Sequence, residues 1–248
     1  MQLVKKMACN VGCRQSKWLP TDRLVCSIPS LLAFVLDCTE IDSVPIMTPS
    51  RDPEATRRHI LEVTAQAMCE NGYKATSLSD IIDKAGVSKG ALYHHFANKQ
   101  ELGHAVFEEV YVKQFLDNWS FPCCEETPLE SLAEWINQLS SCVTAEDLKN
   151  GCPVCNMANE MSGIDEVFRL KSAAMFKVLT DRVTTILALA KEKGVLKTEV
   201  EPAAVANFLV IAIQGYSIQG KYSRDIELGR STVKCMADYV LSLRVDGT

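Results

Sequence analysis

The stretch Thr76-Ser77-Leu78-Ser79-Asp80-Ile81-Ile82-Asp83-Lys84-Ala85-Gly86-Val87-Ser88-Lys89-Gly90-Ala91-Leu92-Tyr93-His94-His95-Phe96-Ala97-Asn98-Lys99 holds two short helical patterns separated by one glycine. Ser77 is placed to cap the first, whose apolar stripe is Leu78, Ile81, Ile82 and Ala85. Gly86 follows directly, where a chain leaving a helix often needs positive φ. Ser88 is placed to cap the second helix, which carries Ala91, Leu92 and Phe96 on its inner side. Asn98 then stands like a cap before Lys99 and a further apolar-periodic run. Helix, tight glycine turn, helix is the plan of a helix-turn-helix, in which the second helix enters the major groove.

The outward side of that second helix offers Ser88, Lys89, Gly90, Tyr93 and His94. Gly90 lets backbone approach backbone, Ser, Lys and Tyr are phosphate donors, and a helix N-terminus favours an anion. The plainer alternative makes Tyr93 and His94 ordinary surface residues of a small helical domain. The coincidence of cap, turn glycine, apolar spacing and polar tip favours DNA.

From about Pro53 to Phe107 the chain resembles the DNA-binding domain of the TetR/AcrR family of transcriptional repressors. The match rests on Arg58, Ile60-Leu61, Gly72-Tyr73, Thr76-Ser77, Asp80-Ile81, Ala85 to Gly90, Leu92 to Phe96, and Lys99 with Leu102. It covers about a fifth of the 248 residues. Ile82 departs from the family's usual Ala, on the packing side. The resemblance implies an all-α protein: an N-terminal three-helix helix-turn-helix domain, then a helical ligand-binding and dimerisation domain. The expected DNA contacts are Arg57, Ser77, Ser88, Lys89, Gly90, Tyr93, His94 and Lys99.

Working outward, a first helix is expected from Pro53 to Asn71, stopped by Gly72, with Ile60, Thr64, Ala67 and Met68 on one face. A fourth is expected from Asn98 to about Asn118, joining the two domains. Residues 47–118 are assigned to the DNA-binding domain and 119–248 to the regulatory domain. Residues 1–46 match nothing in the family. They are read as a start assigned too far upstream or a disordered arm, with a genuine appendage as the alternative. A family member would normally begin near Met47.

In the second half, Thr127-Pro128 opens a helix with Leu129, Leu132, Trp135, Ile136 and Leu139 inward. Cys152-Pro153 opens another, and a long helix with Phe168, Met175, Leu179, Val183, Ile186 and Ala190 ends at Gly194. Pro202 opens a helix that is apolar almost all round, and the last helix carries Val233, Met236, Ala237, Val240 and Leu243. The resemblance implies that these last two, about residues 201–243, pair with their copies as a four-helix bundle. The partners expected are therefore a double-stranded DNA operator, a second copy of the chain and a small-molecule effector. Candidate pocket residues are Trp135, Cys152, Cys155, Met157, Phe168, Met175 and Tyr216, each with plain core as the alternative.

Net charge is −5, so the whole molecule is not a basic nucleic-acid binder. Residues 51–100 balance seven cations (Arg51, Arg57, Arg58, Lys74, Lys84, Lys89, Lys99) against six acids (Asp52, Glu54, Glu62, Glu70, Asp80, Asp83). Any footprint on DNA is thus local. No run of about 20 apolar residues suggests a membrane span, and a cytoplasmic protein is expected.

Eleven cysteines, an odd number at irregular spacing, argue against a disulfide scaffold. Cys152 and Cys155 form a C-x-x-C, but zinc needs four ligands. All four histidines (His59, His94, His95, His104) lie in the other half. No metal, cofactor or enzymatic constellation is expected. The alternative to a ligand-responsive regulator is a thiol switch for oxidants or electrophiles on the same fold, with Cys152 at a helix N-terminus as the sensor.

Overall fold

The computed structural model describes residues 52–119, 124–142 and 144–245. The unmatched 1–46 segment, the expected start at Met47 and Cys123 lie outside the described residues. Among them the structure is helical, apart from one isolated bridge between Leu196 and Arg244.

Helix α1 (Pro53–Asn71) has the expected bounds. Asp52 caps it by accepting from the Glu54 amide, and Gly72 leaves it at φ 87°. Helix α2 (Leu78–Ala85) opens with a reciprocal capping box between Ser77 and Asp80 and closes on Gly86 in the left-handed region. Helix α3 (Lys89–His95) is capped by Ser88, which accepts from the Ala91 amide. Ile60, Ile81, Leu92 and Phe96 fill the small core between the three. His59 bonds the Ala85 carbonyl at 3.1 Å, and Thr76 Oγ1 donates to Gly72 and Ala67 carbonyls. Side chains therefore tie α1 to the end of α2 and to the turn that leads into it.

The connecting helix differs from the single α-helix expected. It is α4 (Lys99–Ala105), a π-helical segment (Val106–Val112), then α5 (Lys113–Asn118). The wider turn satisfies several partners at once. Phe107 is fully buried, and Tyr111 donates its hydroxyl to the Ala65 carbonyl at 2.6 Å. Glu108 and Glu109 meanwhile reach Lys171 and Arg57. Apolar spacing alone does not distinguish this from an α-turn, and such segments recur at functional sites.

The regulatory half contains α6 (Pro128–Cys142), α7 (Ala145–Asn150), α8 (Pro153–Met161), α9 (Glu166–Glu192), α10 (Pro202–Ser223) and α11 (Ile226–Ser242). Helix α7 was not legible as a separate element: six residues are too few for periodicity, although Thr144 and Asp147 form a capping box. Helix α6 packs against α9 and α11, and α10 packs against α9 and α7.

Within one chain, one side of α10 is buried and the other is exposed. Val205, Leu209, Val210, Ile213 and Tyr216 face inward, while Phe208 (52% exposed), Ile211 (58%) and Ile218 face out. Tyr239 and Leu241 of α11 extend the same exposed character, and the Phe208 and Tyr239 rings meet at 5.3 Å. With 22 residues and a mean hydropathy of 1.2 over its most apolar window, α10 meets the length and composition of a membrane span. The helix nevertheless buries a full stripe against α9, as core helices do.

Candidate nucleic-acid interface and effector cavity

Ser77, Ser88, Lys89, Gly90, Tyr93 and His94 are all exposed, clustered on the two helices of the motif. Lys89 lies with its ammonium 5.8 Å from the centre of the Tyr93 ring, one turn along α3. The pair puts a cation and a phenol side by side on the outward face. Leu92 and Phe96, on the opposite side, are buried. The helix is thus fixed from beneath and open above, as a reading helix must be. Gly90 has nothing but the Ser88 hydroxyl, at 3.9 Å, near the place a Cβ would take. Its value lies outward, in close approach.

The two other expected DNA contacts are engaged within the protein. Arg57 makes a two-pronged ion pair with Glu109, both bonds 2.7 Å, with its guanidinium 5.2 Å from the Phe96 ring centre. The Glu109 bond holds the Arg57 pKa up and that of Glu109 down. Arg57 therefore braces α3 against the connecting helix. Lys99 donates to the Lys74 carbonyl at 3.0 Å and lies 4.7 Å from the Tyr73 ring centre, and burial lowers its pKa. One of its three donors is spent on the fold.

Between the domains sits a polar clamp that no motif announces. Glu160, on α8, accepts from the backbone amides of Tyr73 and Lys74 at 2.8 and 2.6 Å. Asp165, the N-cap of α9, accepts from Gln100 at 2.7 Å and bonds His104 at 3.2 Å. Burial pushes the Asp165 carboxyl up. The Gln100 bond, the Phe168 amide and nearby His104 outweigh it and bring the pKa below the ordinary value. Phe168 stacks on His104 at 4.1 Å and meets Tyr73 and Phe107 edge-on. Phe168 was expected in a ligand pocket. It stands instead at the junction of the two domains.

A narrow crevice in the regulatory half is lined by Phe115, Trp119, Cys152, Cys155, Phe176, Leu179, Val210, Ile213, Gln214 and Ser217, with room for about one water. Of the expected pocket residues, only Cys152 and Cys155 line it. Trp135, Met157, Met175 and Tyr216 are buried and do not line it, although the Trp135 ring lies 4.5 Å from that of Trp119. Tyr216 lies against Gly229, and burial with nearby Asp147 pushes its pKa up to about 12. Sequence reasoning missed Phe115, Trp119 and Gln214 in this role, because one helical stripe gives no sign of which side chains border a void.

The two free thiols of the cavity lie within hydrogen-bonding reach of one another. This hydrogen bond holds the Cys152 thiol below its ordinary pKa despite burial, and holds Cys155 well above. A reactive sensor thiol is accessible as well as acidic. Both thiols here are buried, so the thiol-switch alternative is not favoured. Among the described residues no group of three or more potential metal ligands occurs.

Two family models match the chain. Residues 60–106 match bacterial regulatory proteins of the tetR family, and residues 128–235 match a tetracyclin repressor-like C-terminal domain. An uncharacterized HTH-type transcriptional regulator of Lactococcus lactis is 30% identical over 176 residues, covering 70% of this chain and 87% of that protein. The HTH-type transcriptional repressor DhaR of a Mycobacterium species is 25% identical over 177 residues, covering 69% and 85%. The crystal structure of a TetR transcriptional regulator from Chloroflexus aurantiacus superposes with a TM-score of 0.66 at 20% identity, covering 79% of this chain and 98% of that one. The helix-turn-helix, the helical second half and these matches agree, and the chain belongs to the TetR family of transcriptional regulators.

Proposed function

We propose that the protein is a ligand-responsive transcriptional repressor that binds a palindromic operator as a homodimer and is released by a small molecule in its C-terminal domain. The observation that carries this reading is α3: anchored beneath by Leu92 and Phe96, and presenting Ser88, Lys89, Gly90, Tyr93 and His94 outward. Ser77 at the start of α2 adds a second exposed donor. Lys99 contributes its remaining ammonium donors beside a phosphate, while Arg57 acts through the brace to Glu109.

The domains divide near residue 119. Residues 47–118 read DNA, and 119–248 bind the effector and pair the chains. The outward apolar row of α10, with Tyr239 and Leu241 of α11, is the surface a second copy covers. Two reading heads spaced by about 34 Å then meet successive major grooves. The effector acts by favouring a spacing that does not fit the site. The relatives named above are regulators, and no turnover is assigned to this chain. Its place is the cytoplasm, with the DNA.

Selection of bound fragments from a random DNA pool tests this reading. The expected outcome is a palindrome whose half-sites lie about 10 base pairs, or a multiple of that, apart. Recovery of no preferred sequence, or of a single asymmetric site, would contradict it.

A further inference from the structure

The regulatory half reaches the reading head at one corner, where α8 gives way to α9. Both carboxylates of that corner bear on Lys99. Glu160, half-buried near the end of α8, accepts from the Tyr73 and Lys74 amides at 2.8 and 2.6 Å. The Lys74 carbonyl in turn accepts from the Lys99 ammonium at 3.0 Å, and the centre of the Tyr73 ring lies 4.7 Å from that ammonium. The two residues that hold Lys99 are thus the two whose amides Glu160 holds. Asp165, the N-cap of α9, steadies the other side: its Oδ2 accepts from Gln100, the residue next to Lys99, at 2.7 Å. Space enforces the same arrangement. A Cβ at Gly72 would stand 3.1 Å from a Glu160 oxygen, on a backbone at positive φ.

We infer that Glu160 is a positioning residue for DNA binding: from the regulatory half, through the turn at Tyr73 and Lys74, it holds the Lys99 ammonium where it meets a phosphate. This rests on the DNA-binding reading above and adds to it a residue outside the DNA-binding half. A free lysine side chain loses much conformational freedom when a phosphate orders it. One already held in place loses less, and binding is tighter for it. An ammonium has three donors, and Lys99 gives one to the Lys74 carbonyl. The others remain for a phosphate oxygen, aimed by the turn. Burial lowers the Lys99 pKa, and the Glu160 charge opposes this by favouring the ammonium.

A purely structural Glu160 would behave differently. Its loss would act on the folded protein as a whole, and its effect on DNA affinity would add to that of removing the Lys99 ammonium. A Glu160 that acts through Lys99 has nothing left to act on once that ammonium is gone. The two cases separate in a double-mutant cycle.

The cycle uses the full chain, a duplex that the wild type binds, and a series of salt concentrations. Glu160→Asp keeps the charge and draws the carboxylate back from the two amides. Alone it is expected to weaken binding by about threefold or more and to reduce the salt slope by about 1, as the loss of one phosphate contact does. In a Lys99→Ala background it is expected to leave affinity within about 1.5-fold. Equal losses in both backgrounds, an unchanged salt slope, or wild-type affinity for Glu160→Asp would each overturn the inference, as would a Lys99→Ala protein that binds like wild type. Circular dichroism at the titration temperature checks that each variant is folded. If Glu160→Asp is not, Glu160→Gln, which keeps the reach and one acceptor oxygen, replaces it in the cycle with the same non-additivity expected. Failure of the repressor reading shows separately, as a wild type that selects no palindrome; the cycle still decides this inference, because a phosphate contact is made on any bound duplex.

Discussion

The carboxylate of Glu160 in the regulatory half receives the backbone amide of Tyr73 in the DNA-binding half at 2.8 Å, and the adjoining Lys74 amide at 2.6 Å. These amides lie in the turn after α1, where Gly72 has left the helix at positive φ. One side chain thus fixes the turn that precedes the reading motif. Glu160→Ala leaves two amides without their acceptor. We expect a loss of about 1–2 kcal/mol, or about 3–6 °C in melting temperature for a chain of this size. A melt within a degree of wild type would remove Glu160 from the clamp.

Asp165 makes the same junction sensitive to acid. Its folded pKa lies below the ordinary carboxylate value, because the Gln100 bond, the Phe168 amide and His104 overcome burial. A depressed carboxyl stabilises the fold fully above its unfolded pKa, and loses that contribution as pH falls through the folded pKa. The melting temperature of the wild type is therefore expected to fall more steeply below about pH 4 than that of Asp165→Asn. Parallel curves would show that Asp165 carries none of the acid sensitivity.

The outward face of α3 separates specific from general contacts. Lys89→Ala is expected to weaken DNA binding at all sequences and to reduce the salt slope by about 1. Tyr93→Phe removes one hydroxyl and is expected to cost about 1 kcal/mol in operator affinity with no change in melting temperature. Titrations at fixed salt check both. A Lys89→Ala protein with an unchanged salt slope would place that ammonium away from phosphate.

On α10, Ile211 is 58% exposed in the single chain, beside Phe208. If a second copy covers it, Ile211→Glu buries an unpaired charge at the interface. Sedimentation should then show a monomer where wild type is a dimer, with helical content retained. A dimer that survives the change would move the interface elsewhere.

Gly103 packs where a Cβ would lie 2.4 Å from the Tyr73 ring. Gly103→Ala is expected to destabilise by about 1–3 kcal/mol through overpacking, read in chemical denaturation. No change would mean the ring yields freely.

The caps and the motif were readable because their chemistry is local. Ser77, Ser88 and Asn98 each cap the helix they precede, and Gly86 adopts the left-handed conformation its position required. The π-helical segment was not readable. Val106, Phe107 and Tyr111 fit an α-stripe, and what selects the wider turn is the distant Ala65 carbonyl and the partners of Glu108 and Glu109. Likewise the composition of residues 51–100 showed which cations exist, but not that Arg57 is spent on Glu109. Phe168 was read into the pocket because an aromatic on a long buried helix has no address without its neighbours. Those neighbours, His104 and Tyr73, lie more than sixty residues away in sequence. Trp119 stands where the periodic run ends, so nothing in the pattern marked it as a cavity wall.

The most direct test is a stoichiometric titration of the full chain onto the palindrome recovered by selection, at fixed salt, for wild type and Tyr93→Phe. Saturable binding at two chains per palindrome, weakened several-fold by Tyr93→Phe and unmoved by excess unrelated DNA, is the expected result. Saturation at one chain per palindrome, or equal competition by unrelated DNA, would contradict a dimeric repressor that reads its operator through α3.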